Sequence, residues 1–189
     1  FNLFPHLSVL ENLDLAPVWA RGQAGRVAEE RARDYLRRVR MEEYAGLFDQ
    51  LHIIVCSNLD GPKVSGKLFL YPVRGSKFLR LFRIWHIAVR VIKRVRPDVI
   101  SVQGPDEIGL VGYLLSRRFG IPLHIQIHVD VFSPWYAWAG WKEWLRHRIA
   151  KFLIPRAACM RVVSERIRSS LLRNTNYKLQ AEIAVLPIF

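Results

Sequence analysis

RPDVISVQGPDEIGLVGYLLSRRFGIPLHIQIH, residues 96–128, decides how this chain folds. Pro97 stops whatever helix precedes it, and the run from Asp98 to Gln103 is short and β-branched, as a buried strand is. Asp106 stands where a helix N-cap belongs, Gly120 where that helix ends, and Pro122 opens a second apolar run from Leu123 to His128. Strand, helix and strand in one short span make the unit of a parallel sheet, because parallel neighbours need a crossover of about a dozen residues or more.

The alternation continues on both sides. Leu51 to Cys56, Lys67 to Tyr71, Cys159 to Val163 and Glu182 to Leu186 read as further strands. Phe78 to Val95 reads as a helix with Phe78, Phe82, Trp85, Ala88, Val89 and Ile92 on one face. A third helix covers roughly Trp138 to Ile154, and Ser164 caps a fourth. The expected fold class is therefore α/β, a parallel sheet flanked by helices. Ahead of it, residues 1–38 read as a helical appendage, with a Ser8–Glu11 capping box, a stop at Pro17 and a second helix after Gly25.

At 189 residues, 51% hydrophobic and 24% charged, the chain has the make-up of a domain with a buried core and is short for a two-lobed enzyme. Its 29 Lys and Arg against 16 acids leave +13, of which residues 39–189 hold +12, and that excess favours an anionic partner. Cations interrupt every apolar run well short of the ~20 residues that span a bilayer, so no transmembrane helix is expected. The opening FNLFPHLSVLEN lacks the cationic start and cleavage site of a secretory signal, and a start at Phe1 reads as a piece of a longer frame. Cys56 and Cys159 read as core thiols of a reducing, cytoplasmic compartment.

In such a sheet, ligands gather beyond the carboxyl ends of the strands, where loops converge and helix N-termini offer free N–H groups. That rule selects Ser57 and Asn58, then Gln103, Gly104, Pro105 and Asp106, then His128 and Asp130, then Ser164 and Glu165. Asp106 and Ser164 read more readily as ordinary helix caps, and His128 equally as a structural histidine. His124 and His128 stand four apart on a strand, more than about 12 Å at 3.3 Å per residue, so they cannot share a metal. With no other cluster at ligand spacing, neither metal nor cofactor is expected. The segment PWYAWAGWKEWLRHRIAKFL, residues 134–153, mixes tryptophan with cations, which suits an anionic membrane surface or a core helix with a solvated basic face.

Two stretches resemble known families. The opening FNLFPHLSVLENLDLAPVWARG with AEERARDYLRRV, residues 1–38, resembles the segment after the Q-loop glutamine in ATP-binding subunits of amino-acid-type ABC transporters. The chain has neither a phosphate-cradling G-x-x-x-x-G-K-[ST] loop nor an LSGGQ-type signature, so nucleotide hydrolysis is excluded. The rest, residues 39–189, is similar to the N-terminal half of a family-4 GT-B glycosyltransferase, in RMEEYAGLFDQLHIIV, in residues 96–128, in AACMRVVSERIRSSL and in the closing AVLPIF.

That resemblance implies a Rossmann-like sheet. It implies transfer of a sugar from a nucleotide-sugar donor to a sugar or lipid-linked hydroxyl acceptor, with retention and without metal. By the same resemblance His128 borders the reaction centre and is the catalytic candidate, Asp106 flanks the acceptor side, and Gln103, Gly104, Asp130, Ser164 and Glu165 line the cleft. The family's first strand is missing before RMEEYAGLF, and that should leave a gap or force its neighbours to pair directly. In that family the C-terminal half holds the nucleotide sugar, so the expectation is an acceptor-side domain inactive alone, cytoplasmic, with a peripheral place at the inner membrane face and no nucleic-acid partner. Two rival readings stand: a basic membrane-surface or polyanion-binding module without catalysis, and a fusion product without function.

Overall fold

The computed structural model describes residues 45–56, 62–174 and 181–186. The helical reading of residues 1–38 and the candidates Ser57 and Asn58 lie outside them. The chain divides into two compact units between Ile87 and Ala88.

The described part of the first unit is a three-stranded sheet of β1 (Leu51–Cys56), β2 (Lys63–Ser65) and β3 (Leu68–Val73), in the order β1-β3-β2. β1 and β3 run parallel, with Leu51 opposite Leu68 and Cys56 opposite Val73. β2 returns antiparallel on the other side of β3 through the two-residue loop Gly66–Lys67, where Gly66 takes φ 56°. This strand was not expected, because three residues, two of them polar, carry no alternation. β3 also runs two residues past Tyr71, through Pro72, beyond the stretch that β2 pairs, where a missing N–H is tolerated.

Helix α1 (Lys77–Val95) runs through the division between the units. Its buried stripe is Ile84, Ala88 and Ile92, at the i, i+4, i+8 spacing of one helical face. Phe82, expected on that face, is 63% exposed and lies against His86 at a ring separation of 4.1 Å. Arg96 ends the helix at φ 52°, donating its N–H to the Ile92 carbonyl, and Pro97 follows.

The second unit holds a parallel sheet in the order β4-β5-β6-β7: β4 (Ile100–Val102), β5 (Leu123–Ile127), β6 (Cys159–Val162) and β7 (Glu182–Val185). The six expected strands are all present, trimmed by up to two residues at an end in this sheet. Helix α2 (Glu107–Phe119) crosses from β4 to β5; short α3 (Pro134–Trp138), α4 (Trp141–Leu153) and a 3-10 turn (Ile154–Arg156) lead to β6; α5 (Glu165–Asn174) leads to β7.

Leu123, Ile125 and Ile127 of β5 are buried beside Met160 and Val162 of β6, and Leu153, Ile167 and Leu171 close over them from α4 and α5. Two glycines let α2 lie close: a Cβ on Gly109 would stand 2.4 Å from the Gly104 carbonyl oxygen, and one on Gly112 2.5 Å from Val102 Cγ1. The continuous helix expected over 138–154 is broken at Ala139–Gly140. Pro134 at the first turn starts one helix, and a second start follows at Gly140, where Glu143 Oε2 occupies the space a Cβ would need, 2.9 Å away. Among the described residues β1 and β4 are each an edge strand of their own sheet.

Candidate functional site

Strand alternation gives β5 two characters. Leu123, Ile125 and Ile127 enter the core, which leaves His124, Gln126 and, just past the strand, His128 on the opposite face. Register then sets their partners. Ser101 of β4 lies opposite His124, and its Oγ is 2.8 Å from His124 Nδ1; Gln126 lies opposite Arg161 of β6, which donates to Gln126 Oε1 at 3.4 Å. Gln126 Nε2 also donates to Ser101 Oγ at 3.3 Å. The polar face is thus a ladder of side chains across three strands.

The ladder ends at the carboxyl edge of the sheet, where His128 Nε2 meets Gln103 Oε1 at 3.1 Å. With the amide oxygen as acceptor, the imidazole carries its proton on Nε2 and presents Nδ1 as the acceptor. Burial, reinforced by the positive charge of Arg161, holds the pKa of His128 below the ordinary histidine value of 6.5. The same causes lower His124. Both shifts disfavour the charged imidazole.

Gly104, Pro105 and Asp106 form the turn from β4 into α2. Asp106 Oδ1 accepts from the backbone N–H groups of Ile108 and Gly109 at 2.9 and 3.2 Å, an N-cap that satisfies two otherwise unpaired donors. Burial raises its pKa above 3.8, and Glu107 adds to the rise, while the Gly109 and Ile108 N–H groups and Arg146 pull the other way. Arg146 is fixed by Glu107, Nε to Oε2 3.1 Å, which ties α4 to the start of α2.

The remaining candidates have local partners. Asp130 Oδ1 accepts from the Phe132 N–H at 3.2 Å and from the buried Ser170 hydroxyl at 2.7 Å, so it joins the loop after β5 to α5. Ser164 Oγ accepts from the Ile167 N–H at 3.4 Å, as a cap does, and Glu165 is exposed and pairs with Arg168 within the same helix. The structure brings together Gln103 with His128 and Gly104 with Asp106, and gives Asp130, Ser164 and Glu165 separate tasks.

Ser101, Gln126 and Arg161 were missed from sequence. The signal was present in the alternation of ISVQ and LHIQIH, which puts each polar residue on one face, but pairing them needs the register. Arg161 Nε is buried without a hydrogen-bond partner. Among the described residues no group of three His, Cys, Asp or Glu side chains is placed to hold a metal, and no helix is long and apolar enough to cross a membrane.

Comparison with known proteins finds a family model, the glycosyl transferase 4-like domain, matching residues 18–188. Shorter matches join the chain to ATP-binding proteins of amino-acid transport. The glutamate/glutamine/aspartate/asparagine transport ATP-binding protein BztD of Rhodobacter capsulatus is 58% identical over 45 residues, 24% of this chain and 17% of that protein. The uncharacterized amino-acid ABC transporter ATP-binding protein YhdZ of Escherichia coli is 54% identical over 48 residues, 25% of this chain and 19% of that one. The general L-amino acid transport ATP-binding protein AapP of Rhizobium johnstonii is 50% identical over 48 residues, with the same 25% and 19% shares. The chain thus spans less than a fifth of the length of these curated relatives.

Proposed function

The chain belongs to the glycosyl transferase 4-like family, and from that premise we propose that it forms the acceptor side of a retaining transfer from a nucleotide-sugar donor to a hydroxyl acceptor. In that reaction the acceptor oxygen bonds to the anomeric carbon, the bond to the donor phosphate breaks, and the acceptor proton leaves with the phosphate. The domain's part is to orient the acceptor, and a facing lobe holds the donor.

The observation that carries the reading is the His128–Gln103 pair at the carboxyl ends of β5 and β4, beside the start of α2. A neutral imidazole suits a sugar hydroxyl, since with Nε2 donating to the amide oxygen its Nδ1 is left to accept. Asp106 shapes this rim as a capping residue. Asp130 anchors the loop after β5 to α5 through Ser170, and Gly104 leaves room for the Asp106 carboxylate.

The test is a donor-hydrolysis and transfer assay on the chain with a family donor-binding lobe supplied in trans, against the chain alone. Transfer is expected only with the lobe, and His128→Ala is expected to lower it by about tenfold, the worth of one hydrogen bond to the acceptor. Transfer unchanged in that variant would remove His128 from the reaction; turnover by the lone chain would overturn the division of labour.

A further inference from the structure

Helix α4 is apolar on two opposite faces. At about 100° per residue, Trp141, Trp144, Leu145, Arg148 and Phe152 fall on one strip, while Ala150 and Leu153 enter the core on the other side. Its first turns point into solvent, with Trp141 73% and Trp144 55% exposed, while Phe152 at the far end packs edge-on against Tyr113 of α2; α3 adds Trp135 at 83% and Trp138 at 89%. Four tryptophans left in water within ten residues are not scattered surface residues, and an aromatic patch of this kind marks an interaction surface.

The surrounding charge identifies the partner. Lys142 Nζ lies 5.8 Å from the Trp141 ring and Arg148 Cζ 5.9 Å from the Trp144 ring, and exposed Lys151 flanks the same strip. Within α4 the acid is Glu143, half-buried and turned against Gly140. A protein partner's apolar groove would cover the rings but strand the cations. An anionic bilayer meets both, with indole rings at the headgroup level and Lys and Arg on the lipid phosphates.

We propose that the tryptophan strip of α3 and α4 is a docking face for the surface of an anionic bilayer. It rests on these two helices and not on sugar transfer, so either reading can fail without the other. The full chain is expected to float with vesicles of phosphatidylcholine and phosphatidylglycerol and not with phosphatidylcholine alone. Its tryptophan emission should shift to the blue and be quenched by brominated lipid.

Because Trp138 and Trp141 are exposed, Trp138→Ser with Trp141→Ser should leave the fold intact, which circular dichroism checks, and weaken partitioning by about tenfold or more. Lys142→Gln, Arg148→Gln and Lys151→Gln together should weaken it by about a hundredfold. Unchanged partitioning in the double tryptophan variant would overturn the proposal, leaving only diffuse attraction by net charge. Concentration-dependent self-association lost in that variant, without flotation, would overturn it in favour of a second copy.

Discussion

Among the described residues, Arg161 has the least complete surroundings. Its Nε is buried with no acceptor, and its two terminal nitrogens donate at 3.4 Å to Gln126 and to the Leu186 carbonyl. Its charge also depresses both histidines of the polar face. Arg161→Met should therefore move the His128 titration, followed by NMR, upward toward 6.5 without reaching it, since burial remains the larger cause. The lowered values also set a pH dependence. In the window from 6.5 down to the folded-state pKa, the unfolded chain binds more protons than the folded one, so stability falls as pH falls through it. Urea midpoints measured from pH 7.5 downward should drop below about pH 6.5, and drop less in His124→Gln with His128→Gln. His128 and Asp106 were legible in the sequence because one ends a strand and the other precedes a helix. Arg161 was not, because its importance comes from which strand lies beside it.

Among the elements, α2 was read nearly to the residue, since both its ends are written in local chemistry. Gly120 closes it at φ 69° with its N–H on the Ser116 carbonyl, a conformation an L side chain resists. Gly120→Ala should cost about 1 kcal/mol, and Arg96→Gly, relieving the same left-handed conformation at an exposed position, should gain about as much, both read from denaturant midpoints. Gly112→Ala belongs to a different class. Its added methyl meets Val102 Cγ1 at 2.5 Å, so α2 must lift from β4, at a cost of about 1–3 kcal/mol. The break at Gly140 and the strand β2 were not legible. One depends on where Glu143 folds back, and the other on a hairpin that three residues close without an apolar face.

At the scale of the whole molecule, parallel strands and crossover helices were legible because periodicity alone separates them. The division at Ile87 was not, since α1 shows no change of pattern there. In the second unit, β5 and β6 are each flanked by strands on both sides and, with α4 and α5, carry the fully buried side chains of the core. Their amides should exchange slowest in deuterium oxide, near the global unfolding limit, with β7 exchanging faster; uniform rates across the sheet would contradict that order. The split character of β5 has a further consequence. One residue inserted into this strand would exchange its inner and outer sides, turning histidines and glutamine into the greasy interior. Length changes there should survive only in pairs. Single replacements at the part-buried His124 and His128, by contrast, leave the interior untouched, so descendants of this scaffold can change that face without relearning how to fold.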